Sequence, residues 1–224
     1  VTRRASQHLG HAAFTRAWHD GPMCSIADSS ATIVRGNARD VSATIGRALA
    51  PFGAGALAFA AKRDIKIVAL AKRQRYRDAS PSLRRLGVDV DTWPVPPAGL
   101  FVVEERSIYL RSATPMTVAH EFSHGLDCAL GGGVYRSSYD LAVRRAFARA
   151  RDFVTPYAAT GLDEYFAESM RAYVEVNDTR SPWPKATRKR LRDLDPAMNA
   201  FMECLFANEF ARDTTRGEPS AREQ

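Results

Sequence analysis

Cysteine is nearly missing from this 224-residue chain: Cys24, Cys128 and Cys204 are far apart, odd in number and form no C-x-x-C pair. That excludes a disulfide framework and a cysteine-based metal site. Long hydrophobic runs are missing too. The longest apolar stretch, residues 48–61 (ALAPFGAGALAFAA), is shorter than the ~20 residues that span a bilayer, and Pro51, Gly53 and Gly55 break it. It predicts a buried helix with a kinked start and no membrane segment. The opening residues, VTRRASQHLGHAAF, are basic but lack the apolar core of a secretory signal. The expectation is a cytoplasmic chain or one exported by a non-classical route. Histidine is the third scarcity: His8, His11, His19, His120 and His124, with none beyond position 124.

What is present is a composition of 45% hydrophobic and 25% charged residues, enough for one globular core. The net charge of +7 is unevenly spread. Lys62 to Arg85 is crowded with basic residues and holds only Asp64 and Asp78 as acids; KATRKRLR, from Lys185, is a second basic run. Such runs are more often solvated surface than a binding face. No aromatic interleaving or nucleic-acid motif accompanies them, which argues against a nucleic-acid partner.

Residues 1–38 show little periodicity and read as an arm or loosely packed segment, residues 39–212 as the folded domain, and 213–224 as a disordered tail. Val41, Ile45 and Leu49 recur at helical spacing. DIKIVALAK (64–72) predicts a strand, and the Pro-rich TWPVPPAG (92–99) an irregular connection. LFVV and SIYL, parted by EER, predict a hairpin. Thr114-Pro115 is a cap and first-turn pair that starts a helix, and the glycines at 131–133 stop it. Further helices are expected over about 138–153, after Gly161, and over about 196–210. The class is α+β.

The helix that Thr114 starts carries TVAHEFSHGLD. Its two histidines, four apart, share one face, and the intervening Glu121 can reach a water on a metal held between them. His120 and His124 are therefore candidate ligands of one Zn²⁺, with Glu121 as general base. They cannot close a tetrahedral site alone. With no later histidine, the third ligand must be a carboxylate, and GLDEYFAES offers Asp163, Glu164 and Glu168. Glu164 and Glu168 share a helical face, so one can bind metal while the other holds a ligand histidine. Asp163 stays open as the ligand of an aspartate-zinc site. Asp127, three residues after His124, is a candidate partner for a histidine N–H.

HEFSHGLD followed by EYFAESMR resembles the catalytic domain of anthrax lethal factor and its relatives, which include the secreted Pro-Pro endopeptidases. The resemblance spans roughly residues 100–175; Ser123 stands where the family usually has glycine. It implies a zincin-like fold with a small mixed sheet, an edge strand beside the H-E-x-x-H helix, and a helical C-terminal part. It further implies one zinc per chain on His120, His124 and Glu164, and a catalytic tyrosine seven residues before that glutamate, which is Tyr157. The implied activity is endopeptidase cleavage of a protein or peptide substrate, as in bacterial toxins and effectors. The substrate is expected along SIYL, that is Ser107, Ile108, Tyr109 and Leu110, taken as the edge strand. The competing reading is a basic nucleic-acid- or protein-binding module with a structural or decayed zinc site, which would have no need of Glu121 or Tyr157.

Overall fold

The four-residue step of Val41, Ile45 and Leu49 becomes helix α1 (Arg39–Leu49), which buries Ile45, Ala48 and Leu49. The computed structural model describes residues 34–35, 39–181 and 184–211. Pro51 lies in a 3-10 turn over Ala50–Phe52, and Gly53 has a φ of +79°, before α2 resumes over Gly53–Lys62. Residues 41–62 together are long and apolar enough to cross a membrane by length and composition alone. Here Leu49, Phe52, Leu57 and Phe59 lie inside the main core, and Phe52 packs edge-on to Phe122 with ring centroids 4.9 Å apart. This is the kinked core helix the sequence predicts.

Strand β1 (Val34–Arg35) falls within the stretch read as an arm; the rest of that stretch other than these residues, and the tail from 213, lie outside the described residues. β2 (Lys66–Ala69) follows the helices, and two short helices, α3 (Tyr76–Ala79) and α4 (Pro81–Leu86), occupy the first basic run. Ser80 caps α4 by accepting the Leu83 N–H, and Gly87 closes it in the left-handed region. Pro94, Pro96 and Pro97 then lead into β3 (Gly99–Val102). A 3-10 turn over Val103–Glu105 joins it to β4 (Ser107–Leu110), the expected hairpin.

The sheet order is β1-β2-β4-β3, with β3 antiparallel to β4 and the other pairs parallel. This corrects one expectation. Ser107, Ile108, Tyr109 and Leu110 do not form the free edge: β4 lies between β2 and β3, and all four residues are buried. β2 pairs with the side of β4 that the hairpin leaves open, so the backbone of β4 is taken up on both sides. Among the described residues, β3 is the edge strand on this side.

After the sheet come α5 (Pro115–Leu130), α6 (Leu141–Arg149), α7 (Leu162–Tyr173), α8 (Arg188–Leu194) and α9 (Pro196–Cys204), the last continuing as a π-helical turn to Phe210. Thr114 caps α5 by accepting the Thr117 N–H, and the Asp178 carboxylate accepts from the Met116 N–H. Gly131 ends α5 where any Cβ would stand 2.0 Å from the Val134 carbonyl oxygen. Period-two alternation divides the sheet. Ile67, Phe101, Ile108 and Leu110 join the main core with the helices, while Val102 and Tyr109 join Tyr76, Leu83 and Val90 in a smaller cluster. α5 packs most extensively on α7, and that contact brings the two halves of the sequence motif together.

Candidate metal centre and active site

His120 and His124 stand one turn apart on α5, and Glu164 lies in the first turn of α7. Their facing atoms converge. His120 Nε2 is 3.1 Å from His124 Nε2, and Glu164 Oε2 is 3.0 Å and 3.4 Å from the two nitrogens. Glu164 Oε2 is buried yet accepts no well-aligned hydrogen bond. Four tetrahedral ligands at zinc bond lengths stand about 3.3 Å from one another. The spacing, the donor set and the unpartnered oxygen therefore fit a metal ion of that size.

The surroundings favour a cation. Burial opposes charge on His120, but the Glu164 and Glu168 carboxylates on either side raise its pKa to about 10. Burial also raises Glu164, but His120 and His124 outweigh it and hold the carboxyl well below its usual range. Glu121, beside His120 in sequence, is buried, and desolvation raises its pKa despite the two histidines and a hydrogen bond from the Phe101 N–H. That contact brings Glu121 against β3. Gly99, the first residue of β3, touches it as well: a Cβ there would stand 2.6 Å from Glu121 Cγ and 2.8 Å from Thr117 Cγ2.

Tyr157 sits in a 3-10 turn (Tyr157–Ala159) ahead of α7, half-exposed. Its hydroxyl donates to Glu164 Oε1 at 3.1 Å, and its ring lies 5.5 Å from that of His120. Burial and the adjacent Glu164 push its pKa up, so the phenol stays a donor. Glu168, one turn after Glu164, accepts from His120 Nδ1 at 2.9 Å.

Two candidates fall outside the group. Asp163 is not among the converging ligands, and its carboxylate folds against Gly161 at the start of α7. Asp127, expected to hold a histidine, instead accepts from the Ser137 N–H at 2.9 Å and the Ser137 hydroxyl at 2.5 Å. It faces the turn after α5 rather than the metal face, and His124 Nδ1 has no partner among the described residues. That is a correction. Ser107, Ile108, Tyr109 and Leu110 likewise lie on an interior strand and not on the edge strand expected of them.

Neither a protein-family model nor a curated protein matches the sequence. Among solved structures, the chain is similar to a Pro-Pro endopeptidase from Paenibacillus alvei, with a TM-score of 0.57 over 79% of this chain and 99% of that one, at 18% identity. The two share a fold.

Gly99, Tyr135, Thr155 and Arg171 were not singled out by sequence. Tyr135, in the turn after α5, sets its ring between Phe101 and His124, with centroids 6.3 and 5.6 Å away. A glycine opening a strand is a recognised sign of close backbone approach, but it does not name what approaches. Arg171, three residues after Glu168, carries the usual spacing of a helical ion pair. Much of the basic charge is engaged internally. Arg75 and Arg77 pair with Asp89, Arg84 donates to the Arg77 and Asp78 carbonyls, and Arg188 and Arg190 donate to the Tyr173 and Val154 carbonyls.

Proposed function

We propose that the chain is a zinc-dependent endopeptidase, with one zinc on His120, His124 and Glu164, acting on an extended segment of a protein or peptide. The observation that carries this is the meeting of three things at one point: the converging ligand atoms, the buried Glu121 carboxylate and the free edge of β3. A structural metal site needs only the first. The fold shared with a Pro-Pro endopeptidase agrees with it.

Bound there, zinc would supply an acidified water and a Lewis acid for the peptide carbonyl. Glu121 takes the proton of the attacking water and hands it to the leaving amine. Tyr157, at the mouth of the site, donates its hydroxyl to the oxyanion that develops on the substrate. Glu168 holds the His120 ring through Nδ1. The substrate lies along β3, which among the described residues pairs with a strand on one side only, rather than along β4.

The experiment is cleavage profiling on a peptide library with a chelator arm. Cleavage is expected to stop with chelator and return with zinc. Glu121→Gln should keep the metal and lose cleavage, whereas Glu164→Ala should lose the metal. Zinc lost from Asp163→Ala but kept by Glu164→Ala would replace the ligand assignment, and a zinc-loaded wild type without peptidase activity would end the proposal.

A further inference from the structure

Arg171 heads the fully buried side chains by size, with 2% of its surface exposed. A guanidinium removed from water is tolerated only where its donors are matched. Nε and Nη2 meet the two oxygens of Glu168 at 2.9 and 2.7 Å, and Nη1 meets the Val176 carbonyl and Asn177 Oδ1 at 3.0 and 3.1 Å. The same carboxylate has two further donors. Oε1 accepts from His120 Nδ1 at 2.9 Å, and Oε2 accepts from the Thr155 hydroxyl at 2.6 Å. Thr155 Oγ1 in turn accepts the Ala158 N–H at 3.3 Å, inside the turn that carries Tyr157.

The fork geometry is what matters. A bidentate arginine–carboxylate pair fixes the plane of the carboxylate as well as its place, whereas an ammonium acts as a point charge and leaves it free to turn. With the plane of Glu168 fixed, Oε1 faces His120 and Oε2 faces Thr155. The far end of Arg171 is anchored in the segment after α7, where Asn177 exchanges two hydrogen bonds with the Ala186 backbone at 2.9 and 2.8 Å.

We propose that Arg171 is a positioning residue: through the two oxygens of Glu168 it sets the ring of His120 and the turn bearing Tyr157 together. This rests on the metal-centre reading above. It also accounts for the division of labour between the two glutamates. The oxygens of Glu168 are engaged by four donor groups, while Glu164 keeps Oε2 free of hydrogen bonds.

The test is zinc affinity, by competition with a chromogenic chelator, for wild type and Arg171→Lys, with circular dichroism and melting curves to verify the fold. Lysine keeps the charge and loses the fork. Zinc binding is expected to weaken measurably, by up to the roughly tenfold that losing a ligand histidine's outer partner costs. At saturating zinc kcat falls with KM retained, and the fall is smaller in a Tyr157→Phe background, because part of the effect runs through that turn. A folded Arg171→Lys protein with wild-type affinity and kcat overturns the proposal. Should Arg171→Lys not fold, the double variant Glu168→Gln/Arg171→Met removes both charges together and carries the same expected and overturning results. A wild type that binds no zinc counts against the metal centre instead. Positioning is then read by NMR from the His120 Nδ1 proton, expected to be protected from exchange in wild type and unprotected in the variant; equal protection overturns it.

Discussion

Tyr157 and its phenylalanine replacement differ by one oxygen, and that oxygen is 3.1 Å from Glu164. The ring is half-exposed, so Tyr157→Phe should leave packing and zinc content alone. Losing one oxyanion donor costs about 3 kcal/mol, on the order of a hundredfold in kcat, with KM little changed. Steady-state kinetics at matched zinc content decide it, and a near-normal kcat would make Tyr157 an ordinary turn residue. Gly99 poses the opposite problem, an atom too many. Gly99→Ala must displace Glu121 or β3, because its Cβ would be 2.6 Å from Glu121 Cγ. Zinc should be retained while kcat/KM drops by about tenfold or more, an expectation that metal analysis beside kinetics would check. At this scale the sequence was legible where converging side chains share one helix at fixed spacing, as for His120 and His124. Gly99 was not legible, because its constraint comes from a side chain on another element.

Between elements, the sequence predicted the hairpin, the metal helix and the glutamate helix, since caps, apolar period and glycine stops are local signals. Strand order is not local. SIYL looked like an edge because it directly precedes α5, yet β2 pairs with it from a distant part of the chain. Asp127 failed similarly: helical phase places it near the histidine face, but Ser137 supplies two donors and draws it to the following turn. That clamp joins the end of α5 to the next turn, so it should act on stability more than on metal. Burial is the main cause that raises the Asp127 pKa from 3.8 to about 6. The folded chain therefore holds this proton more tightly than the unfolded chain. Its contribution to stability is fully present below pH 4 and lost as pH rises through 6, by about 3 kcal/mol at most. Asp127→Asn should flatten that part of the profile in urea melts at pH 4 and pH 7, with zinc affinity unchanged. An unaltered pH slope would mean that other groups carry it.

For the molecule as a whole, α+β class and a helical second half follow from the order of elements, and a core on each side of the sheet follows from alternation along β3 and β4. The basic runs were legible as charge but not as structure. α3, α4 and α8 form within them because single apolar residues such as Tyr76, Leu83 and Leu191 are buried there, too few to leave a period in the sequence. The free edge of β3 has a consequence for the protein in bulk solution. Backbone groups open to one extended peptide are equally open to the edge of another copy. β3 is only four residues long, and Pro94, Pro96 and Pro97 stand just upstream, none of them with a backbone N–H to donate where a longer pairing would continue. Replacing Pro96 and Pro97 by threonine should lengthen the pairing edge and make sedimentation concentration-dependent, while a variant as monodisperse as wild type would show that the prolines do not guard it. The short strand and its prolines would thus admit a single visiting chain while discouraging fibrous self-pairing.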